Sequence, residues 1–160
     1  MRYIIPGLFE PKSNESEVVI HLINILGAKI SASTIIKEIE EHPDHPSLFC
    51  ISDVLTKFGI DNVGVRPDRS KFDDIPTPYI TRIQSEKSHD NYFTVVKVST
   101  ASGIVFLDQE KSSWRHVSRD AFLRGWHGFA LLVETATGSF EKNYLQKRRK
   151  ERKRQLICRS

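Results

Sequence analysis

The residues from 77 to 108 decide the fold class of this chain. They contain the segments TPYITRIQ (77–84), YFTVVKVS (92–99) and IVFLD (104–108). Each segment is short, rich in Val, Ile, Thr and aromatic residues, and bounded by turn-forming residues, which is typical of β-strands. The residues 99–103 suit a hairpin turn between the last two segments. This stretch therefore predicts an antiparallel meander.

Three helical patterns precede the strands. Apolar residues recur at helical spacing over 18–26, and Gly27 is placed to end that helix. Candidates for the cap at its start are Ser13, Asn14 and Ser16. A second helix is expected to begin near Ser31 or Ser33. A third is expected to carry Pro46 in its first turn and to run to Gly59.

The remaining segments complete an α+β order. Residues 62–66 and 128–134 favour strands, 114–117 indicate another, and Ser118 can cap a short helix. Helices first and strands later predict N-terminal helices packed on an antiparallel sheet. We expect an irregular lead-in at 1–12, one domain over 13–136 and a tail over 137–160.

The positive charge of the chain is concentrated in that tail. Residues 141–160 hold nine basic and two acidic residues, a net charge of +7. The other 140 residues hold 15 basic and 18 acidic residues, a net charge of −3. The high isoelectric point of the chain therefore comes from the tail, and it does not indicate a nucleic-acid-binding fold.

Composition excludes several other classes. Hydrophobic residues make up 39% of the chain, which is enough for a core. Apolar runs fall well short of the roughly 18 residues that span a bilayer, and we expect no secretory signal. Two cysteines, Cys50 and Cys158, do not indicate a disulfide framework, so a reducing compartment is expected.

Several segments occur in the order and spacing of one peptidase family. They are the first helix ending in Gly27, the strand YFTVV at 92–96, the corner at Asp108 and the closing segment 120–132. Together they resemble the bacteriocin-processing cysteine peptidases, peptidase family thirty-nine. That resemblance implies a papain-like fold on the cytosolic side of an export transporter, and an activity that cuts double-glycine leaders.

The resemblance also implies where the catalytic groups would lie. The nucleophilic Cys falls at or near Asn14, the His base falls on Tyr92, and the orienting acid falls on Asp108. The oxyanion Gln lies upstream of the nucleophile, but no Gln occurs before Gln84. Only the acid matches, so a catalytically degenerate domain is expected. Ser13 or Ser16 as a substitute nucleophile is the open alternative, and His89 lies three positions from the base position, on the other face of the strand.

A closer resemblance concerns the context of the domain. The segment HPDHPSL (42–48), the strand containing Thr77 and Pro78, and the ending EKNY (141–144) resemble a bacterial subgroup in which the domain precedes a membrane-embedded vitamin K epoxide reductase-like module. The resemblance implies that the tail is a juxtamembrane linker on the cytoplasmic side. Binding of anionic lipid or nucleic acid by the tail is the alternative.

The predicted function is recognition of a peptide or protein segment in a groove between the helical layer and the sheet. The residues expected to bind are Tyr92, Phe122 and Trp126. An active leader peptidase is the rival hypothesis. Cys50 is expected to be a buried thiol, and His42 and His45 to belong to a turn. No metal and no cofactor is predicted.

Overall fold

The structure is a computed structural model, and it describes residues 12–134. The helices of the first half are α1 (Asn14–Leu26), α2 (Ala32–Glu40) and α3 (Leu48–Lys57). The second half contains a 3₁₀ helix (Arg69–Asp74) and α4 (Arg119–Gly125). The strands are β1 (Asn62–Val65), β2 (Tyr79–Gln84), β3 (Asn91–Thr100), β4 (Gly103–Asp108), β5 (Ser113–Val117) and β6 (Ala130–Val133).

The six strands form one sheet in the order β1-β6-β2-β3-β4-β5, and every neighbouring pair is antiparallel. The predicted α+β class with an antiparallel sheet is confirmed. The register between β3 and β4 shifts between Val96 and Val98, and its first pair is Val96 with Phe106. Counted back from the Val96–Phe106 pair, Phe93 lies beyond the end of β4 at Asp108.

The sheet has two covered faces, because successive side chains of a strand point to opposite sides. Phe93 and Val95 of β3 belong to the core that contains α1, α2 and α3. Tyr92 and Val96 belong to a second core, formed with the 3₁₀ helix and α4. The backbone of β3 thus separates the two hydrophobic cores.

Local signals account for the helix ends. The side chain of Ser13 accepts a hydrogen bond from the Ser16 amide, and Gly27 ends α1 with a φ of 72°. A residue with a side chain would be strained there. Ser31 and Ser118 cap α2 and α4 in the same way, as the sequence predicts.

The structure corrects two expectations of the sequence analysis. Pro46 does not belong to the first turn of α3, because the Ser47 side chain caps the helix by accepting from the Cys50 amide at 3.0 Å. The 3₁₀ helix Arg69–Asp74 was not predicted at all.

The lead-in before residue 12 and the basic tail lie outside the described residues. Within residues 12–134, no helix is long and apolar enough to cross a membrane.

Candidate functional site

Asn14, the position where the nucleophile would lie, ties α1 to the sheet. Its side-chain nitrogen donates to the Phe93 carbonyl at 2.9 Å. Its side-chain oxygen accepts from the Phe93 amide at 2.6 Å. One amide side chain thus satisfies both peptide groups of a residue 79 positions away.

The end of β4 at Asp108 explains why Phe93 needs such a partner. The β3–β4 register begins only at Val96, so Phe93 has no opposite residue on β4. Backbone groups in a sheet that lose a ladder partner must be satisfied in another way. The Asn14 amide replaces the missing strand at this point.

The two serines near Asn14 belong to a second network. The Ser13 hydroxyl donates to the Ser16 hydroxyl at 2.9 Å, and the Ser16 hydroxyl donates to Glu40 Oε2 at 3.0 Å. The Ser13 amide also reaches Glu40 Oε2, at 3.3 Å. Ser16 is fully buried. These contacts join α1 to α2 and occupy the hydroxyls that a substitute nucleophile would need.

Tyr92 and Asp108 lie together on the opposite side of β3, in a cavity of about 480 Å³. We call it the Tyr92 cavity; its lining also includes Phe106, Ala121 and Phe122. Burial raises the pKa of the Tyr92 phenol to about 12, and the nearby Asp108 charge adds to that effect. A phenol with this pKa stays protonated at neutral pH and cannot serve as a general base.

Asp108 acts mainly within its own loop. Its Oδ1 accepts a hydrogen bond from the Glu110 amide at 2.9 Å, and its Oδ2 lies 3.9 Å from the Arg115 guanidinium. This is how a strand-end Asp stabilises a turn. The structure therefore brings Tyr92 and Asp108 into one cavity, while the Asn14 side chain binds the backbone of β3 beside the other core.

The three residues expected to bind a ligand are not in the groove between the helices and the sheet. Tyr92, Phe122 and Trp126 all belong to the second core, on the face away from α1 to α3. Tyr92 and Phe122 line the Tyr92 cavity. Trp126 is 5% exposed, and its indole nitrogen donates to Thr81 Oγ1 at 2.9 Å. Trp126 packs against Phe72, which in turn contacts Phe122.

An imidazole–amide pair near the start of β3 was not predicted from the sequence. His127 Nε2 lies 2.8 Å from Asn91 Oδ1. Burial, and then the charge of Arg82, lower the pKa of His127. The two residues are 36 positions apart, and neither carries a local motif that would join them.

Cys50 lies in the first turn of α3 and is fully buried. Its sulfur is 3.5 Å from the Ile39 carbonyl oxygen, to which the thiol donates. Burial, reinforced by nearby carboxylates, raises the pKa of the thiol from 9.0 to about 11. Because the thiolate is the reactive form, this environment makes Cys50 a structural residue.

Iodoacetamide is expected to alkylate Cys50 in the folded protein at least about 100-fold more slowly at pH 7.5 than in the urea-unfolded chain. A pKa that is about two units higher lowers the thiolate fraction by about 100-fold, and burial limits access further. Mass spectrometry of the Cys158→Ser variant follows Cys50 alone. Equal rates in the folded and unfolded states would show that Cys50 is a reactive thiol.

The His42 side chain stabilises the turn of the 42–46 segment, and His45 joins it through its backbone amide, which donates to the His42 carbonyl at 3.1 Å. His42 Nε2 lies 2.6 Å from Asp53 Oδ2, and His42 Nδ1 accepts from the Asp44 amide at 3.0 Å. These bonds hold the turn against α3. Over the described part of the chain, no group of three His, Cys, Asp or Glu side chains is arranged to hold a metal ion.

Three helices packed on this antiparallel sheet, with the first helix starting against β3, define a papain-like peptidase domain. The chain belongs to the Peptidase C39 family, whose pattern it matches over residues 18–138. The predicted family is thereby confirmed.

Solved structures show the same fold. The peptidase domain of Streptococcus ComA, a bi-functional ABC transporter involved in a quorum sensing pathway, superposes with a TM-score of 0.64 at 17% identity, covering 78% of this chain and 93% of that one. A double glycine motif protease from an AMS/PCAT transporter, in complex with the leader peptide, gives 0.67 at 13% identity, covering 83% and 91%.

A third similar structure is the N-terminal peptidase C39 like domain of a toxin secretion ATP-binding protein from Vibrio parahaemolyticus. Its TM-score is 0.59 at 15% identity, covering 79% of this chain and 99% of that one. At these identities the likeness shows the fold alone. None of the curated protein sequences matches the chain.

Proposed function

We propose that this chain is a catalytically degenerate C39 domain that binds a peptide or protein segment without cutting it. The observation that carries the proposal is the Asn14 side chain, whose two hydrogen bonds to Phe93 occupy the place where a family nucleophile would start α1. An amide in this position holds the fold together and is not a nucleophile.

The chemistry of a papain-type site supports the same conclusion. Such a site needs a thiolate, an imidazole base, a group that orients the imidazole, and an oxyanion donor. Here the matching positions hold the Asn14 amide and the neutral Tyr92 phenol. Asp108 is engaged by the Glu110 amide. The remaining thiol of the described residues, Cys50, is buried in α3.

Peptide binding is supported by the Tyr92 cavity and by the relatives. One structure with the same fold is described in complex with a leader peptide. In this chain, Tyr92 and Phe122 form walls of a cavity that lies beside the degenerate site, and Trp126 supports it through Phe72. Charged side chains of both signs line this cavity beside the aromatic rings, so a bound peptide would find both polar and apolar contacts there.

The context of the domain belongs to the same proposal. We propose that it acts at the cytoplasmic side of a bacterial membrane and serves a membrane-embedded module, either an exporter or a thiol oxidoreductase. The support is the net charge of +7 over residues 141–160, which fits the positive flank of a membrane segment.

A labelled double-glycine leader peptide is expected to bind without being cleaved. Fluorescence anisotropy gives the affinity, and mass spectrometry of the same mixture after a day reports cleavage. Ala121 lines the Tyr92 cavity, so Ala121→Phe is expected to weaken binding at least tenfold, or about 1.4 kcal/mol. The exposed Ala101 provides the matched control, and Ala101→Phe should leave the affinity within twofold.

Two results would contradict the proposal. Cleavage that disappears in the Asp108→Ala variant would restore the enzyme hypothesis, because it would depend on the one matching catalytic position. Equal affinity of the wild type and the Ala121→Phe variant would show that the peptide does not use the Tyr92 cavity.

A further inference from the structure

A second cavity, of about 780 Å³, lies on the helical side of the sheet. We call it the Arg66–Arg82 cavity. Its walls come from the start of α1, the approach to α3, and the strands β1, β2 and β3. Phe93 lines this cavity while its neighbour Tyr92 lines the other, so the backbone of β3 separates the two. The volume is typical of ligand-binding pockets, which span about 300–1,000 Å³.

The charged groups of this cavity favour an anionic ligand. Arg66 and Arg82 are both exposed on its wall, and neither forms an ion pair within residues 12–134. The guanidinium of Arg82 lies 5.3 Å from the centre of the Phe93 ring. Glu15, which is 8% exposed, is the one carboxylate on the wall. Two guanidinium groups against one carboxylate leave a net positive charge.

The rest of the wall is apolar. Leu48, Phe93 and Phe129, which belong to the core on the helical side, contribute their side chains. A ligand that satisfies both parts of the wall carries a carboxylate beside apolar groups, because a guanidinium pairs a carboxylate through two parallel hydrogen bonds.

The backbone beside this cavity indicates that the ligand is an extended peptide. Among residues 12–134, β1 is an edge strand, since it pairs there with β6 alone and ends the strand order. Gly64 of β1 lines the cavity, and a side-chain carbon at this position would meet no described atom within 4 Å. The outer edge of such a strand can pair with another backbone, and the open space over Gly64 leaves room for that peptide's side chains on the cavity side of the sheet.

We propose that the Arg66–Arg82 cavity is a second binding site, which takes an extended acidic segment of a partner protein with an Asp or Glu flanked by apolar residues. The carboxylate pairs with Arg66 and Arg82, the apolar neighbours pack on Phe93 and Phe129, and the peptide backbone runs beside β1. This site is distinct from the Tyr92 cavity and goes beyond the proposed function.

Selection of a random 12-residue peptide library on the full chain tests the proposal. Selected peptides are expected to be enriched in Asp or Glu next to apolar residues. Replacing that acid by its amide, and the variants Arg66→Gln and Arg82→Gln, should each weaken binding at least tenfold. Arg124→Gln is the matched control, because Arg124 lines the Tyr92 cavity, and it should change the affinity less than twofold.

The Gly64→Val variant tests the same cavity without changing its charge. Valine suits a β-strand and meets open space, so the variant should fold at least as stably as the wild type while filling the cavity floor. It should abolish binding of the selected acidic peptides and leave binding of the double-glycine leader unchanged. A library without acidic enrichment, or acidic peptides that bind Gly64→Val as well as the wild type, would overturn the proposal. Leader binding that fails in the wild type would count against the proposed function alone.

Discussion

Asn14→Ala is expected to lower the free energy of unfolding by about 2–4 kcal/mol, which urea denaturation measures directly. The substitution removes two hydrogen bonds and leaves the amide and carbonyl of Phe93 without their partner. Phe93 is buried, so water cannot easily replace the lost bonds. Leaving a buried backbone group unpaired costs about 1–3 kcal/mol for each group, and the better helix propensity of alanine offsets a small part of this.

Asn24→Ala supplies a matched control in the same helix. Asn24 is exposed on α1, so the identical substitution there should change the stability by less than about 0.5 kcal/mol. Asn14→Asp should lie between the wild type and Asn14→Ala, because a carboxylate can accept from the Phe93 amide but cannot donate to its carbonyl. Equal stabilities of the two alanine variants would refute the role assigned to Asn14.

Asn14→Cys connects this prediction to function. A thiol cannot reproduce the two hydrogen bonds, so this variant should be destabilised about as much as Asn14→Ala. Placing the family nucleophile at this position therefore weakens the link between α1 and β3. The chain uses the position to hold helix and sheet together, which is consistent with a domain that binds and does not cut.

The sequence predicted the parts of the fold that local chemistry determines. Ser13 and Gly27 mark the ends of α1 because the cap bonds of a helix span only a few residues. The alternation of β3 is likewise local. In contrast, the 3₁₀ helix Arg69–Asp74 has neither a helical period nor a strand alternation that would reveal it.

The candidate site likewise has features that local sequence predicts and features that depend on residues far apart in the chain. Counting along the chain proposed Asn14, Tyr92 and Asp108 as the family positions, but it could not predict that Asn14 and Tyr92 would lie on opposite sides of β3. β4 ends at Asp108, so the backbone of Phe93 lies beyond it and is bonded by Asn14 instead. Because the Asn14–Phe93 bonds join residues 79 positions apart, no local pattern reports them.

Phe72→Ala is expected to lower the free energy of unfolding by about 3–5 kcal/mol, the usual cost of deleting a buried aromatic ring. Phe72 is 0% exposed and lies at the centre of the second core. Its ring centroid is 5.1 Å from that of Trp126 and 5.8 Å from that of Phe122. The guanidinium of Arg119 lies 5.9 Å from the same ring. Removing the ring leaves a cavity that these neighbours cannot fill without moving.

Phe49→Ala is the matched control, because Phe49 is 63% exposed on α3 and should lose less than about 0.5 kcal/mol. Phe72→Leu retains most of the side-chain volume and should lose less than half of the stability that Phe72→Ala loses.

The substitution should also affect the proposed binding site, since Phe72 supports Phe122 in the wall of the Tyr92 cavity. At a temperature where Phe72→Leu remains folded, it should therefore bind the leader peptide more weakly than the wild type. Unchanged affinity in that variant would show that Phe122 keeps its position without the Phe72 ring, and that the second core and the Tyr92 cavity are independent.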